Sequence, residues 1–262
     1  MRRVLLLDLD DTLMVDEAAA ADAFDAAARF AATRCGVDAE LLARGARARA
    51  RELWCESPTH DYCARIGISS WEGLWCRFEG DGADVRDLRE WSPVYRREAW
   101  RLALADQGID DVGLAEELGE QFDAERRSRH QVFSDVAGAL DLLGETHSLA
   151  LVTNGAACLQ REKLAASGLG DYFEAVVVSA DIGVAKPHPS VFEHVLSELG
   201  AGSDRAVMVG DSLAKDVDGA LGAGLRAVWV NRSGSAAVPA NRLDVAEIST
   251  LSELPGVLAE MG

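Results

Sequence analysis

Three carboxylates, Asp8, Asp10 and Asp11, follow a short apolar run in the stretch VLLLDLDDTL at residues 4–13. An unbroken apolar run of this length is typical of a strand buried on both faces. Like charges crowded at the end of such a strand repel one another, and loss of water increases the cost. A bound cation would offset that repulsion, so these acids are candidates for a metal site or for acid–base chemistry.

Polar residues also follow three later apolar runs, 149–152, 175–178 and 206–209. In a parallel sheet, ligands bind beyond the carboxyl ends of the strands. The pattern therefore predicts that acids, a hydroxyl, an amide and a lysine meet the first carboxylates at one edge of a sheet. The residues are Thr153, Asn154, Lys186, Asp211 and Asp216.

These residue types suit phosphoryl transfer. Clustered carboxylates with bound water favour Mg²⁺, and a metal among carboxylates attracts a phosphate. The Thr153 hydroxyl can donate to phosphoryl oxygens, and Lys186 can act as a point charge. A carboxylate nucleophile can form an aspartyl-phosphate, while a second acid two residues further along can give the leaving oxygen its proton.

From residue 131 onward, short apolar runs alternate with segments of helical length at about 135–144, 156–167, 188–199 and 213–223. We interpret Ser134 as the N-cap of the first helix. This rhythm predicts βαβ units, and the opening strand must join the same sheet. The predicted class is α/β, a Rossmann-like three-layer core with a mostly parallel sheet, formed by residues 1–14 and 131–262.

Residues 15–130 have helical periodicity instead and predict an inserted, all-helical cap domain. Ser92 and Pro93 suggest the N-cap and first turn of a helix, and a helical face is indicated for residues 71–78. Five of the six tryptophans lie here, and packing of the helices is their main expected role, with one or two in a pocket as the alternative. Some arginines could contact a second anionic group of a ligand, although most are expected on a solvated helix face. The candidates are Arg47, Arg51, Arg96 and Arg97.

Charge and cysteine content restrict the partners. The 26 basic and 44 acidic residues give a formal net charge of −18, so the chain has no overall attraction for nucleic acid or anionic membrane. No apolar run approaches a membrane span, and the five cysteines are odd in number. We expect a cytoplasmic protein, monomer or homodimer, that acts on a small-molecule phosphate ester. Only three basic residues are lysines, which makes each worth inspection; they are Lys163, Lys186 and Lys215.

The segments DLDDTL, VTNG, AKPHPSVF and VGDSLAKD resemble, in order, the four motifs of the haloacid dehalogenase (HAD) superfamily. The helical insertion after the first motif is similar to the superfamily's C1-type cap. Within the superfamily, the core resembles the N-acylneuraminate-9-phosphatase and pyrimidine 5′-nucleotidase-like branch. The resemblance covers residues 1–14 and about 131–234.

This resemblance implies a role for each motif residue. Asp8 would be the nucleophile and Asp10 the acid that protonates the leaving group and then activates water. Asp211 would bind Mg²⁺ together with Asp8 and the backbone carbonyl of Asp10, with Asp216 supporting the site. Lys186 would steady the nucleophile and the phosphoryl group. The phosphate would also contact Thr153 and Asn154.

The same resemblance leaves several activities to separate. A 2-haloacid dehalogenase expels halide, which needs no proton, and the second acid is typically absent from that branch. The presence of Asp10 therefore favours a phosphatase for a sugar phosphate or nucleoside monophosphate. A phosphomutase of the β-phosphoglucomutase type is the first alternative, and a 2-haloacid dehalogenase and a non-catalytic binding protein follow it.

Overall fold

In the computed structural model, which describes residues 2–234 and 245–261, the opening apolar run forms a strand in the middle of a six-stranded parallel sheet. The strand order is β5-β4-β1-β6-β7-β8, and a separate antiparallel pair joins β2 to β3. The strands are β1 (Arg3–Leu7), β2 (Met14–Val15), β3 (Gln131–Val132), β4 (His147–Thr153), β5 (Ala175–Val178), β6 (Ala206–Gly210), β7 (Arg226–Val230) and β8 (Ala246–Ile248).

Helices fill most of the remaining described chain. A five-residue π-helix, Leu213–Val217, directly precedes α11. The α-helices are α1 (Glu17–Cys35), α2 (Ala39–Cys55), α3 (His60–Ile66), α4 (Ser70–Gly73), α5 (Ala83–Ala105), α6 (Val112–Arg127), α7 (Val136–Thr146), α8 (Ala157–Ser167), α9 (Ser179–Ile182), α10 (Pro189–Glu198), α11 (Asp218–Gly222) and α12 (Leu254–Glu260).

Contacts between residues divide the chain into two compact units. One unit comprises residues up to Val15 and from Gln131 onward, and it contains the parallel sheet. The other, Asp16–His130, is helical throughout its regular structure. No helix in the described part of the chain is long and apolar enough to cross a membrane.

The sheet unit has the predicted three-layer α/β architecture. Side chains of β1 alternate between two buried clusters: Leu5 and Leu7 belong to one, and Val4 and Leu6 to the other. Residues of α7 and α12 complete the first cluster, and residues of α10 complete the second. Because both faces are covered, every side chain of this strand from Val4 onward is buried, as its uniform apolar character predicts.

The position of β1 determines where a ligand can bind. Strand β1 pairs with β4 on one side and with β6 on the other. The sheet extends beyond β4 to β5, and beyond β6 to β7 and β8, so the strand order runs in opposite directions on the two sides of β1. Such a switch in strand order opens a crevice at the carboxyl ends of the strands. The residues after β1, β4 and β6 therefore share one edge.

The N-cap of α7 differs from the prediction. Asp135, not Ser134, occupies the cap position, and its side chain makes no capping bond to the helix. Its carboxylate instead accepts bonds from the Arg232 guanidinium and from the backbone N–H of Leu251. A tertiary contact with distant segments therefore determines this helix start, which a local capping preference could not reveal.

Aromatic side chains form the interior of the helical unit. The Phe24 ring lies 5.8 Å from Trp100 and 4.4 Å from Phe122, joining α1, α5 and α6. Trp54 on α2 packs against Tyr95 on α5 with ring centroids 5.3 Å apart. Packing is therefore the role of most of these rings, as expected.

Helix α5 does not begin at Ser92, as predicted, but at Ala83. Pro93 lies in its interior, where it lacks the N–H that would bond the carbonyl of Arg89. The Ser92 hydroxyl donates to that same carbonyl at 3.4 Å, which partly replaces the missing bond. Buried residues before and after the proline, including Leu88 and Tyr95, hold the helix against its neighbours.

The prediction of a helical face for residues 71–78 is also wrong. Helix α4 ends at Gly73, and Phe78 has a positive φ of 50°. Trp75 and Phe78 are nevertheless fully buried. The apolar spacing thus identified buried residues but not their backbone conformation. Periodicity over so few residues does not distinguish a helix from an irregular buried segment.

Leu6→Ala should lower the free energy of unfolding by about 2–5 kcal/mol, because this side chain is fully buried in the middle of the sheet and its loss leaves a cavity. Urea denaturation measures the change. Leu142→Ala is the matched control, since Leu142 on α7 is 61% exposed. Equal effects of the two substitutions would contradict the burial described for β1.

Candidate active site

A buried lysine joins the predicted residues at the carboxyl edge of the sheet. The Lys186 ammonium donates to Oδ1 of Asp8, to Oδ1 of Asp216 and to the backbone carbonyl of Val152, each at 2.7 Å. An ammonium has three N–H donors, so all three are used. Burial opposes its charge, but the carboxylates of Asp216 and Asp8 outweigh that cost and raise the pKa of Lys186.

Asp216 supports this arrangement from the interior. It is 1% exposed, and its second oxygen accepts a 2.9 Å bond from the backbone N–H of Ser212. A Cβ on Gly210 would lie 2.4 Å from this carboxylate, so the last residue of β6 must be glycine for Asp216 to fit. The side chain thus holds Lys186 and the loop after β6 together.

Asp211 is fixed by a threonine of the first motif. The Thr12 hydroxyl donates to its carboxylate at 3.3 Å and accepts from its backbone N–H at 3.0 Å. The Trp229 indole donates to its backbone carbonyl at 2.7 Å. Arg232 donates two bonds, 2.9 and 2.7 Å, to the Thr12 carbonyl, which ties the segment after β7 to the same loop.

Carboxylate oxygens of Asp8, Asp211 and Asp216 lie within 4.8 Å of one another. Burial, followed by the nearby charges of Asp8 and Asp216, raises the pKa of the Asp211 carboxyl to about 8. A divalent cation at this point would relieve that repulsion, so the donor set fits one. Both oxygens of Asp216 already accept hydrogen bonds, which favours Asp8 and Asp211 as ligands.

The loop after β4 holds the phosphate-binding candidates. The side-chain amide of Asn154 pairs with the backbone of Lys186, accepting from its N–H at 2.9 Å and donating to its carbonyl at 3.0 Å. Asn154 thereby positions the lysine segment. The Thr153 hydroxyl is buried and donates to Gln160 at 3.3 Å. Gly155 has a φ of 135°, and a Cβ there would lie 2.7 Å from the Gln160 amide nitrogen.

Asp10 contacts two residues that the sequence did not predict for the site. Lys163 donates to both of its carboxylate oxygens, at 3.0 and 2.9 Å, and Gln160 donates to Oδ2 at 3.1 Å. Both donors lie on α8 and are 1% exposed. The rarity of lysine was the one available signal, because it marked Lys163 together with Lys186. No comparable signal marked Gln160.

The helical unit has a cavity of its own, of about 680 Å³. Trp71 lines it, and Arg47 lies over that ring at 5.4 Å while pairing with Glu17. Arg51 lines the same cavity, which is consistent with the pocket alternative for one tryptophan. Its lining residues are Glu17, Arg44, Arg47, Ala48, Arg51, Glu52, Ser70 and Trp71.

The other two arginine candidates lie beside a different cavity of this unit, of about 450 Å³. Burial lowers the pKa of Arg96, whose guanidinium bonds to the backbone carbonyl of Cys76. Arg97 pairs with Glu98 and Glu116. Arg96 therefore contributes to the packing of the unit rather than to a solvated face.

Comparisons with known proteins agree with this geometry. A family model for haloacid dehalogenase-like hydrolases matches residues 3–224. A phosphoserine phosphatase of Thermus thermophilus is 38% identical over 231 residues, 88% of this chain and 89% of the relative. An N-acylneuraminate-9-phosphatase of Rattus norvegicus is 36% identical over 166 residues, 62% of this chain and 67% of the relative.

The solved structure of a 2-haloacid dehalogenase from Pseudomonas syringae pv. Tomato DC3000 aligns over 100% of both chains, with a TM-score of 0.60 and 32% identity. Taken with the fold and the carboxylate site, these findings define the class: the protein is an enzyme, a hydrolase of phosphoric monoesters. It belongs to the haloacid dehalogenase-like hydrolase family.

The raised pKa of Asp211 predicts a pH-dependent stability of the protein in the presence of a chelator. Between about pH 4, the ordinary pKa of an aspartate, and the folded value of about 8, the folded state keeps a proton that the unfolded state has released. The melting temperature should therefore fall as pH rises through this window, and Asp211→Asn should make the fall shallower. Thermal melts at a series of pH values measure both.

Asp171→Asn is the matched control for that series, because Asp171 is exposed on the same unit and should leave the pH dependence unchanged. Parallel curves for the wild type and Asp211→Asn would contradict the carboxylate repulsion described here.

Proposed function

We propose that the protein is a cytoplasmic, Mg²⁺-dependent phosphatase that hydrolyses a small phosphorylated metabolite through an aspartyl-phosphate on Asp8. The observation that carries this proposal is the contact of the Lys186 ammonium with Asp8 at 2.7 Å, inside a cluster of carboxylates. The ammonium pairs with the Asp8 carboxylate and orients it for attack on phosphorus. The five cysteines are free thiols, which suits a reducing compartment.

Asp8 and Asp211 would hold the metal with the backbone carbonyl of Asp10, and Asp216 would support them. When bound, Mg²⁺ supplies positive charge that attracts the phosphate and offsets the negative charge of the transition state. The backbone N–H groups of the loop that carries Asn154 would donate to phosphoryl oxygens. The Thr153 hydroxyl, which donates to Gln160 in this structure, would turn to the phosphate when it binds. Lys186 would steady the transferring group in addition to Asp8.

The chain's own residues then carry out two displacements. In the first, an oxygen of Asp8 attacks phosphorus, the bond to the leaving oxygen breaks, and Asp10 gives its proton to the departing alcohol. In the second, Asp10 takes a proton from water as that water attacks phosphorus, and the bond to Asp8 breaks. Inorganic phosphate leaves, and both aspartates return to their starting states.

Asp10 separates this reaction from dehalogenation, the activity for which the Pseudomonas syringae protein is named. Halide departs without a proton, so an acid held by two buried donors has no use in that step. Its ordered position therefore favours an ester with an alcohol leaving group. A phosphomutase needs the same groups, and only the products formed from a sugar phosphate distinguish it.

The relatives and the helical unit support a choice of candidate substrates. The relatives named above are phosphatases for phosphoserine and for N-acylneuraminate 9-phosphate. Phosphoserine therefore joins sugar phosphates and nucleoside monophosphates as a candidate. We assign the helical residues 16–130 to a cap that selects the leaving group, and Trp71 and the arginines beside it are the candidates for reading that group.

Phosphate release from a panel of monoesters tests the proposal. The panel contains p-nitrophenyl phosphate, phosphoserine, sugar phosphates and nucleoside monophosphates. We expect release that needs Mg²⁺, stops with a chelator and falls to background in Asp8→Asn, because that amide is a poor nucleophile. Asp171→Asn controls for a surface charge change. The best ester defines the substrate class.

Two parallel assays make the outcome decisive. Conversion of a sugar phosphate to its isomer without phosphate release would favour a phosphomutase. Chloride release from 2-chloropropionate that resists the chelator would favour a dehalogenase. A folded protein inactive in every assay would contradict the proposal.

A further inference from the structure

Lys163 is a buried cation whose contacts lie at the acid–base residue. Its side chain is 1% exposed, and its Nζ atom is 2.9 Å and 3.0 Å from the two oxygens of Asp10. Burying an ammonium is unfavourable unless a partner of opposite charge is in contact. The bidentate contact with Asp10 supplies that partner and fixes the carboxyl group at both of its oxygens.

Gln160 adds a second anchor from the same helix. Its Nε2 donates to Oδ2 of Asp10 at 3.1 Å, while its Oε1 accepts from the Thr153 hydroxyl at 3.3 Å. Gln160 and Lys163 are three residues apart on α8, a spacing that places both side chains on one face of a helix. One helix face thus connects Asp10 with the proposed phosphate-binding threonine.

The start of this helix is set by the loop that follows β4. Helix α8 begins at Ala157, and the turn before it contains Gly155, whose amide N–H donates to the Ser179 hydroxyl at 2.8 Å. The absence of a Cβ on Gly155 leaves the room that the Gln160 amide occupies. The glycine of the TNG segment therefore allows Gln160 to reach both of its partners.

We propose that Lys163 and Gln160 are positioning residues that hold the Asp10 carboxyl group where it exchanges protons with the leaving oxygen and with water. This inference rests on the proposed function, because it assumes that Asp10 is the acid and base. Neither residue reacts. Each acts by restricting the rotation of the Asp10 side chain, so that its carboxyl group meets the leaving oxygen and then the attacking water in one orientation.

Lys163→Met tests the role of the lysine. It keeps an unbranched side chain and removes the ammonium, so both hydrogen bonds from Lys163 to Asp10 are lost. For an alkyl phosphate, whose leaving alcohol needs a proton, kcat/KM should fall about 10²-fold, within the usual contribution of general acid catalysis. For p-nitrophenyl phosphate, whose leaving group departs without a proton, it should fall by less than about 3-fold.

Asp10→Asn gives the reference pattern in kcat/KM, a large loss on the alkyl ester and a small one on the aryl ester, because the base role of Asp10 comes after the leaving group has departed. Lys163→Arg keeps a cation near Asp10 and should recover part of the alkyl activity. Gln160→Met should also lower kcat/KM more for the alkyl ester than for the aryl ester, but by a smaller factor. If Lys163→Met does not fold, the Gln160 variant tests the inference. Lys215→Met is the matched control, because Lys215 is exposed and should leave both activities unchanged.

The results separate this inference from the proposed function. Equal losses on the two esters in Lys163→Met and Gln160→Met, with the reference pattern present in Asp10→Asn, would overturn the positioning role alone. Asp10→Asn without discrimination would overturn the acid role and the inference with it. Thermal melts of each folded variant show whether a loss comes from destabilisation, which would lower both activities together.

Discussion

The three hydrogen bonds of the Lys186 ammonium are the interaction on which the rest of the site depends. They join the carboxylate after β1, the acid that follows β6 and a backbone carbonyl near the end of β4, so three neighbouring strands meet at one cation. Removing one partner of a buried ion pair leaves an uncompensated charge, which typically costs about 3–5 kcal/mol. The site is therefore also part of what holds the carboxyl edge of the sheet together.

Neighbouring residues position the Lys186 ammonium and its partners. The Asn154 side chain forms hydrogen bonds with both the N–H and the carbonyl of Lys186. Gly210, which has no Cβ, leaves space for the Asp216 carboxylate. Asp211 carries the remaining excess of negative charge. Its carboxyl pKa rises because the group is buried and because Asp8 and Asp216 add negative charge nearby. A single lysine does not balance three acids, and this imbalance is the physical reason that the site suits a divalent cation.

Asp10 is in contact with a second cation, Lys163. The proposed nucleophile and the proposed acid–base residue are thus each in contact with a different lysine. Lys186 serves the nucleophile and Lys163 the acid–base residue, and both ammonium groups are buried. This division explains why a chain whose basic residues are mostly arginine has lysine at these two points, since a compact ammonium can contact two oxygens in a small space.

The sequence by itself determined the strands, their common sheet and the acids at its edge, because each depends on a local run of apolar residues followed by polar ones. Only the tertiary structure decided that Lys163 reaches Asp10 and that Thr12 holds Asp211, because each contact joins segments more than 150 residues apart. The same is true of α5, which continues through Pro93 because neighbouring helices bury its flanks. Local preference specifies an element, whereas packing between distant segments specifies where it ends and what it touches.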